Sequence, residues 1–314
     1  MERQVIHMEV DVIIPIYKPG DEFFSLLNRL YAQTVKIHQI ILVHTVDGEA
    51  FDSDLQLSFL KQSDKKIRIY EVKKEEFDHG MTRRLAVEKS DAEIFVMMTQ
   101  DALPADRRLI EKLIAPLTGD VAVAYARQLP RKNCRAIERF TRKFNYPDSA
   151  CIKGIEDLPQ MGIKTFFCSD VCAAYRREIY EKLDGFPVKA IFNEDMIFAA
   201  HAVKAGFKVA YAADAKVLHS HNYTCRQQFM RNFDLGVSQA ENPDVFKGVP
   251  SEKEGGKMVK ETVGYLFTSG RAFLIPYFFI QCVCKYAGYL LGKHFRLLPG
   301  NFIQKCTMSP NYWQ

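Results

Sequence analysis

The sequence predicts an α/β protein: a sheet assembled through right-handed crossovers, followed by an amphipathic helical region. Three observations carry that prediction. Short, β-branched apolar runs alternate with segments of helical period through the first half of the chain. The segments that follow those runs hold polar or turn-forming residues, where ligands of open α/β sheets bind. Beyond Gly264 the composition turns rich in Phe, Tyr, Leu and Ile.

The elements follow in order. Val10 to Ile16 is a near-continuous apolar run broken by Pro15, Pro19 and Gly20, as expected of a strand buried on both faces. Phe23 to Gln33 places Phe23, Leu26, Leu27 and Leu30 on one helical face. Gln39 to Val43, Ile67 to Val72, Ile94 to Met98 and Val121 to Ala126 read as further strands. Leu55 to Gln62, Met81 to Ser90 and Arg107 to Leu117 read as the helices between them. Ile197 to Ala205 is an apolar helix ended by Gly206. The expected ligand loops are Tyr17 to Gly20, His44 to Gly48, Phe77 to Gly80 and Thr99 to Pro104.

Composition narrows the class. Of the 314 residues 47% are hydrophobic and 26% charged, enough apolar content for one sizeable core and too much for a disordered chain. A net charge of +5 is mild and points to no nucleic-acid partner. The eight cysteines lack paired C-x-x-C spacing, so they read as reduced, structural thiols of a cytoplasmic protein. The polar start, running directly into a strand, gives no sign of a secretory leader. Neither G-x-x-x-x-G-K-[ST] nor G-x-G-x-x-G occurs, which argues against P-loop and dinucleotide-binding proteins.

Two stretches stand apart. Pro130 to Met161 is irregular and basic (Arg131, Lys132, Arg135, Arg139, Arg142, Lys143), expected as a mobile helix and loop that is either a solvated face or a surface for an acidic ligand or membrane. Phe267 to Gly292 is long enough to cross a bilayer, but Arg271, Pro276, Gln281 and Lys285 interrupt it. It reads as amphipathic helix lying in the membrane interface, with a span or a helix packed on the main domain as alternatives. The division expected is 1–240 for the catalytic domain and 241–314 for the helical, membrane-associating region.

Four constellations bear on chemistry. Val12-Ile-Ile-Pro-Ile-Tyr17 ends a strand in Pro15 and an aromatic ring, where a nucleobase can lie. In Glu76-Phe-Asp-His-Gly-Met-Thr-Arg-Arg84, Gly80 suits a tight turn, Arg83 and Arg84 fall in the first helical turn as at a phosphate site, and Asp78 and His79 can shape the pocket. Asp101, in Thr99-Gln-Asp-Ala-Leu-Pro104 directly after a strand, can hold Mg²⁺ or Mn²⁺ against a diphosphate, or merely cap a helix. Glu194 and Asp195 open an apolar helix, either complementing its dipole or supplying a general base. His219 and His221, flanking Ser220, can complete a metal shell, bind phosphate or be structural.

Taken together, Val12 to Tyr17, Phe77-Asp-His-Gly-Met-Thr-Arg83, Thr99 to Pro104, Asn193-Glu-Asp195 and His219-Ser-His-Asn222 resemble the inverting glycosyltransferase family 2 over about residues 8 to 240, and more narrowly its bacterial rhamnosyltransferase-like branch. The resemblance implies the GT-A fold, a Rossmann-like, mixed and mostly parallel sheet flanked by helices. It implies that Pro15 and Tyr17 line the base pocket and that Arg83 and Gln100 meet the donor, with Asp78, His79 and Gly80 beside them. Asp101 would hold Mg²⁺ or Mn²⁺ with His219 or His221, and Asp195 would be the catalytic base supported by Glu194. It further implies a nucleotide-sugar donor, dTDP-L-rhamnose, with other deoxyhexose or hexose donors open; the amphipathic C-terminal region in turn suggests a polyprenyl-linked envelope glycan as acceptor, at the inner face of the bacterial plasma membrane.

Thr99 stands where the family's metal motif usually begins with Asp, and His44 where many members keep an Asp near the base. Gln228-Phe-Met-Arg-Asn232 matches only part of the processive members' Gln-x-x-Arg-Trp, so one or few sugars per encounter are expected. A nucleotidyltransferase is a competing class, but Tyr17-Lys-Pro-Gly20 is a poor match for the Gly-rich basic loop it needs. A non-catalytic sugar-nucleotide binder or membrane scaffold is the other competitor.

Overall fold

The computed structural model describes residues 8–48, 66–249 and 252–313; the helix expected at Leu55 to Gln62 lies outside them. The sheet contains β1 (Val10–Ile16), β2 (Ile40–Val46), β3 (Ile67–Lys73), β4 (Ile94–Met98), β5 (Leu103–Pro104), β6 (Val121–Leu129), β7 (Cys151–Lys153), β8 (Cys172–Arg176) and β9 (Lys208–Leu218), in the spatial order 3-2-1-4-8-6-9-5, with β7 also on β9. Strands 3, 2, 1 and 4 are parallel, β8 runs antiparallel to both β4 and β6, and β6 and β9 are parallel. The expected mixed, mostly parallel sheet is therefore present.

The main helices are α1 (Asp21–Tyr31), α2 (His79–Val87), α3 (Leu109–Ile114), α4 (Ala136–Asn145), α5 (Glu194–Lys204), α6 (Cys225–Glu241), α7 (Glu252–Thr268), α8 (Ile275–Lys293) and α9 (Gly300–Cys306). Alternation along β1 divides the core between the two faces of the sheet. Val10, Val12, Ile14 and Ile16 pack with Phe23, Leu26 and Leu30 of α1 and Leu109 and Leu113 of α3. Ile13 packs with Ala86 and Val87 of α2 and Ile197 and Phe198 of α5. Phe95 and Tyr175 stack at 5.1 Å within this second layer, and Phe198 meets Tyr175 edge-on at 5.4 Å.

Several boundaries differ from expectation for identifiable reasons. β2 runs on to Val46 because His44 and Thr45 continue the ladder opposite Glu71 and Val72. β6 runs on to Leu129 because Gln128 and Leu129 pair with Val217 and Leu218 of β9, which carries Gln128 to the ligand edge. α2 starts at His79, two residues early, because the Asp78 carboxylate caps it by accepting from the Gly80 and Met81 amides at 2.8 and 2.9 Å. Gly80 consequently makes no tight turn. It lies inside the helix, where a Cβ would come within 2.1 Å of the Pro187 carbonyl oxygen. Pro130 to Met161 is not a free basic loop: it forms α4 and then β7, which adds antiparallel to β9.

A boundary at residue 240 does not divide the molecule cleanly. α6 lies before it and α8 after it, yet the two helices pack so closely that a Cβ on Gly288 or Gly292 would strike the carbonyl oxygens of Phe229 and Phe233 at 2.2 and 2.0 Å. Phe295, Ile303 and Cys306 share a cluster with Ile191, Phe233 and Val237, with Trp313 packed against it. The last residues thus buttress the loop that leads to Glu194 and Asp195.

Candidate active site

The order of the sheet reverses at β1 and β4, since β2 and β3 follow on one side of β1 and β4 lies on the other. A crevice at such a point lies beyond the carboxyl ends of the two strands. Tyr17 and Gln100 occupy those ends and face each other: the Gln100 side chain accepts from the Tyr17 amide at 2.8 Å and donates to the Tyr17 carbonyl at 3.0 Å. The Tyr17 hydroxyl donates to Asp47 at 2.8 Å, and the Lys18 ammonium pairs with the same carboxylate at 2.9 Å. Pro15 sits in the last turn of β1 opposite Val43. Asp47 lies one residue beyond β2, where no local motif marks it; His44, nearer the expected base contact, is buried within β2.

Beside this crevice Asp101, His219 and His221 converge. β5 pairs Leu103 with Leu218, so the residues just before β5 and just after β9 meet. The Nε2 atoms of His219 and His221 each lie 3.4 Å from the same Asp101 oxygen. The protons can be assigned from the surroundings. The Gln128 amide must turn its oxygen toward the Arg142 guanidinium, which can only donate. That same oxygen lies 3.0 Å from His219 Nδ1, which must therefore carry the ring's proton. Burial lowers the pKa of His219, despite Asp101, and that of His221 to about 4, so both rings are neutral at pH 7. Burial opposes ionisation of Asp101, but the two histidines outweigh it and its carboxyl titrates well below the usual range.

The lone pair of His219 Nε2 therefore faces the Asp101 carboxylate, an arrangement that a cation between or beside the two would stabilise. Asp101, His219 and His221 offer one oxygen and two nitrogens whose ligand atoms lie within 4.8 Å of one another. This donor set fits Mn²⁺ or Mg²⁺ completed by phosphate oxygens, with the imidazoles favouring Mn²⁺. The Thr99 hydroxyl nearby is buried without a hydrogen-bond partner. Arg131 donates to the Asp101 carbonyl and pairs with Glu22 at 2.5 Å, bracing the loop.

The second cluster surrounds Arg83. Its guanidinium lies 3.1 Å from Glu194 and 3.4 Å from Asp170, and it is nearly enclosed. The Asp170 contact is electrostatic only, since neither Arg83 Nε nor that Asp170 oxygen makes a hydrogen bond. Arg83 also donates to the His79 carbonyl at 3.0 Å, and burial lowers the His79 pKa to about 4. Glu194 is buried, and Arg83 holds its pKa down against that burial. Asp195 is less enclosed; its carboxylate accepts from the Asp170 and Met196 amides at 2.9 and 2.7 Å. Burial and the charge of Glu194 raise its pKa to about 7. Asn193, at the start of α5, adopts a left-handed conformation (φ 66°), and its side-chain amide nitrogen is buried without a partner.

Gln128 joins the two clusters, since its amide nitrogen donates to Tyr146 at 2.6 Å and to Ser169, the neighbour of Asp170, at 2.9 Å. Asp78 serves the site indirectly: beyond capping α2 it accepts from the Ala190 amide at 3.1 Å, fixing the loop before Glu194. Arg84 points away and binds Asp184 at 2.6 Å. Asp170, Gln128 and Ser169 were missed in the sequence because each is a single polar residue in or beside a strand, the commonest and least specific of patterns.

The mixed, mostly parallel sheet flanked by helices, with residues that could hold a metal gathered just beyond β4, is the architecture of a GT-A glycosyltransferase. The chain belongs to glycosyl transferase family 2, whose family model matches residues 11–184. It is 38% identical over 312 residues to the O-antigen chain rhamnosyltransferase RfbN of Salmonella typhimurium, covering 98% of this chain and 96% of that one. It is 35% identical over 311 residues to the O-antigen chain rhamnosyltransferase WbaN of Salmonella anatum, covering 96% and 95%. In fold it is similar to the mannosyltransferase PcManGT of Pyrobaculum calidifontis, solved with GDP-Man and Mn²⁺ (TM-score 0.60, 15% identity, 93% of this chain and 87% of that one). It is also similar to TarS 1-349 of S. aureus, solved with UDP-GlcNAc (TM-score 0.52, 14% identity, 92% of each chain).

Proposed function

We propose that this glycosyltransferase moves L-rhamnose from dTDP-L-rhamnose to a hydroxyl of a lipid-linked O-antigen precursor, with inversion, at the cytoplasmic face of the bacterial plasma membrane. The sugar and the acceptor class rest on the two O-antigen rhamnosyltransferases that resemble the chain over nearly its whole length. The chemistry rests on one observation above the others: Asp195, partly buried and raised to about 7, is joined through Ser169 and Gln128 to a cluster of side chains suited to a divalent cation.

Asp195 takes the proton of the acceptor hydroxyl as that oxygen attacks the anomeric carbon, and a single displacement inverts the configuration. The Asp170 and Met196 amides each fix one oxygen of the Asp195 carboxylate and so orient the lone pairs left for the acceptor. Glu194 and Arg83 hold the start of α5 in place and set the field in which Asp195 titrates. Tyr17, Pro15, Asp47 and Gln100 shape the end of the crevice that takes the base and ribose. Asp101, His219 and His221 would hold Mg²⁺ or Mn²⁺, which when bound supplies positive charge against the leaving diphosphate.

The test is a donor panel. Purified protein is incubated with dTDP-, UDP- and GDP-sugars and Mn²⁺ or Mg²⁺, and release of nucleoside diphosphate is followed beside Asp101→Ala and Asp195→Asn. Release from dTDP-rhamnose that is lost with EDTA and in both variants is the expected result. Release from a UDP- or GDP-sugar alone would retire the rhamnose assignment and leave the mechanism.

A further inference from the structure

α8 is apolar on most of its surface, yet Tyr277, Gln281 and Lys285 recur every four residues and form one polar stripe. That stripe is one wall of a cleft of about 260 Å³, whose other walls are α4 from Arg135, α6 at Gln228, and His221 of the candidate metal cluster. The glycine contacts of Gly288 and Gly292 with α6 set the rotation of α8 and so aim the stripe into the cleft.

Two features mark the cleft as built for a ligand. Gln228 and Gln281 are each more than nine-tenths buried, and among the described residues neither side-chain amide makes a hydrogen bond, so both are left facing the cleft. Amides that open on a cleft without a protein partner are free to pair with a ligand in place of solvent. The Lys285 ammonium also lines the cleft and forms no salt bridge among the described residues, while the one acid in the wall, Glu138, is taken up by Arg142 at 2.7 Å. Amides that both donate and accept suit vicinal hydroxyls, tyrosine rings suit the face of a sugar, and a lysine beside an exposed arginine suits an anion.

The surface next to the stripe is apolar. Phe279, Ile280, Val283 and Tyr286 of α8 are about half exposed or more. A ligand filling the cleft and leaving along α8 would be polar and anionic at one end and apolar at the other.

We propose that this cleft is the acceptor site and that α8 is a substrate-binding element: Gln228, Gln281 and Tyr277 hold the acceptor's terminal sugar, Lys285 with Arg135 holds its phosphate, and the lipid chain follows the apolar face of α8. The proposal rests on the glycosyltransferase reading above and adds to it where, and by what chemistry, the acceptor is recognised.

Titration calorimetry of the full chain, with nucleoside diphosphate and Mn²⁺ present, tests it with two probe series: hexoses on short alkyl diphosphates, and the same hexoses as plain alkyl glycosides. The diphosphate series is expected to bind at least tenfold more tightly. Lys285→Met, which keeps the apolar stem, should abolish that preference, and Gln281→Leu should weaken both series about tenfold, with melting temperatures checked for each variant. Absence of binding by every probe overturns the proposal, as does unaltered affinity in both variants. The outcome is separable from the donor panel. Probe binding through Lys285 without turnover of any sugar nucleotide would retire transfer and keep the site, whereas transfer with unaltered probe affinity in the variants would retire the site and keep transfer.

Discussion

The Gln128 oxygen accepts the Nδ1 proton of His219 at 3.0 Å, and this bond decides what His219 can do. With Arg142 fixing the amide, the ring presents a bare Nε2 toward Asp101. Hydrogen bonds of this kind to the outer nitrogen of a ligating histidine set its tautomer and basicity, and losing them costs about 10–100-fold in metal affinity. Gln128→Leu is therefore expected to weaken Mn²⁺ binding by about that factor although Gln128 does not reach the metal position. Asp101→Asn is expected to abolish it. Electron paramagnetic resonance titration of free Mn²⁺, with nucleoside diphosphate present, measures both without reference to turnover.

Asp195 should govern the acid side of the pH profile. A base with pKa raised to about 7 is protonated below that value, so kcat/KM for transfer should climb with pH through about 7 and then level. Asp195→Asn should lower kcat by about 10²–10⁴-fold. Stability should move the other way. The pKa is raised on folding above its ordinary value near 4, so whatever Asp195 contributes is fully present below about pH 4 and is lost as pH rises through about 7. Asn removes that loss, so the variant should melt above the wild type at pH 8 and level with it near pH 4. Scanning calorimetry at the two pH values checks the sign. Equal melting curves at pH 8 would mean that Asp195 is not held at a raised pKa.

Among the described residues, Arg83 is the only cation in an ion pair with Asp170 or Glu194. Taking one member out of a buried ion pair typically costs about 3–5 kcal/mol, because the remaining charge stays desolvated. Arg83→Met should lose about that much stability in urea, and Arg83→Met with Glu194→Gln should recover part of it. Arg83→Lys should recover little, since a point ammonium cannot serve two carboxylates as a planar guanidinium does. If Arg83 met the donor diphosphate and did nothing else, stability would be unchanged and donor KM alone would rise.

The sheet was legible because β1 and β4 are apolar runs buried on both faces and the edge strand β3 alternates, so all three fall where Val10 to Ile16, Ile94 to Met98 and Ile67 to Val72 predicted them to within a residue. The convergence of Asp101 with His219 and His221 was legible only as two separate motifs; what joins them is the pairing of β5 with β9, a contact between distant segments that no local pattern encodes. Asp170 was invisible for a related reason. Its significance lies in an amide aimed at Asp195 and a side chain between Arg83 and Tyr175, neither of which leaves a trace at positions 168 to 172. Gly80 illustrates the opposite error: the residue was noticed, but glycine serves close packing as often as turns, and only the approach of Pro187 distinguishes the two.

We propose, from the packing of α8, that it meets a membrane lying flat. Ala272–Lys293 is apolar and long enough to cross a bilayer, with mean hydropathy 1.3 and 17% of its most apolar window buried. A crossing orientation would have to pull α8 off α6, where Gly288 and Gly292 let the two backbones touch, and would carry Gln281 and Lys285 into hydrocarbon. Lying flat keeps both arrangements and would still bury the outer face. Burying one such side chain is worth about 1.5–3 kcal/mol, so Ile280→Glu with Val283→Glu should reduce binding to phospholipid vesicles by at least about tenfold while the melting temperature holds. Alkaline carbonate should then strip the wild-type chain from membranes. A chain that stays with the pellet after carbonate, and whose vesicle binding ignores the two glutamates, spans the bilayer and has surrendered the α6–α8 contact to do so.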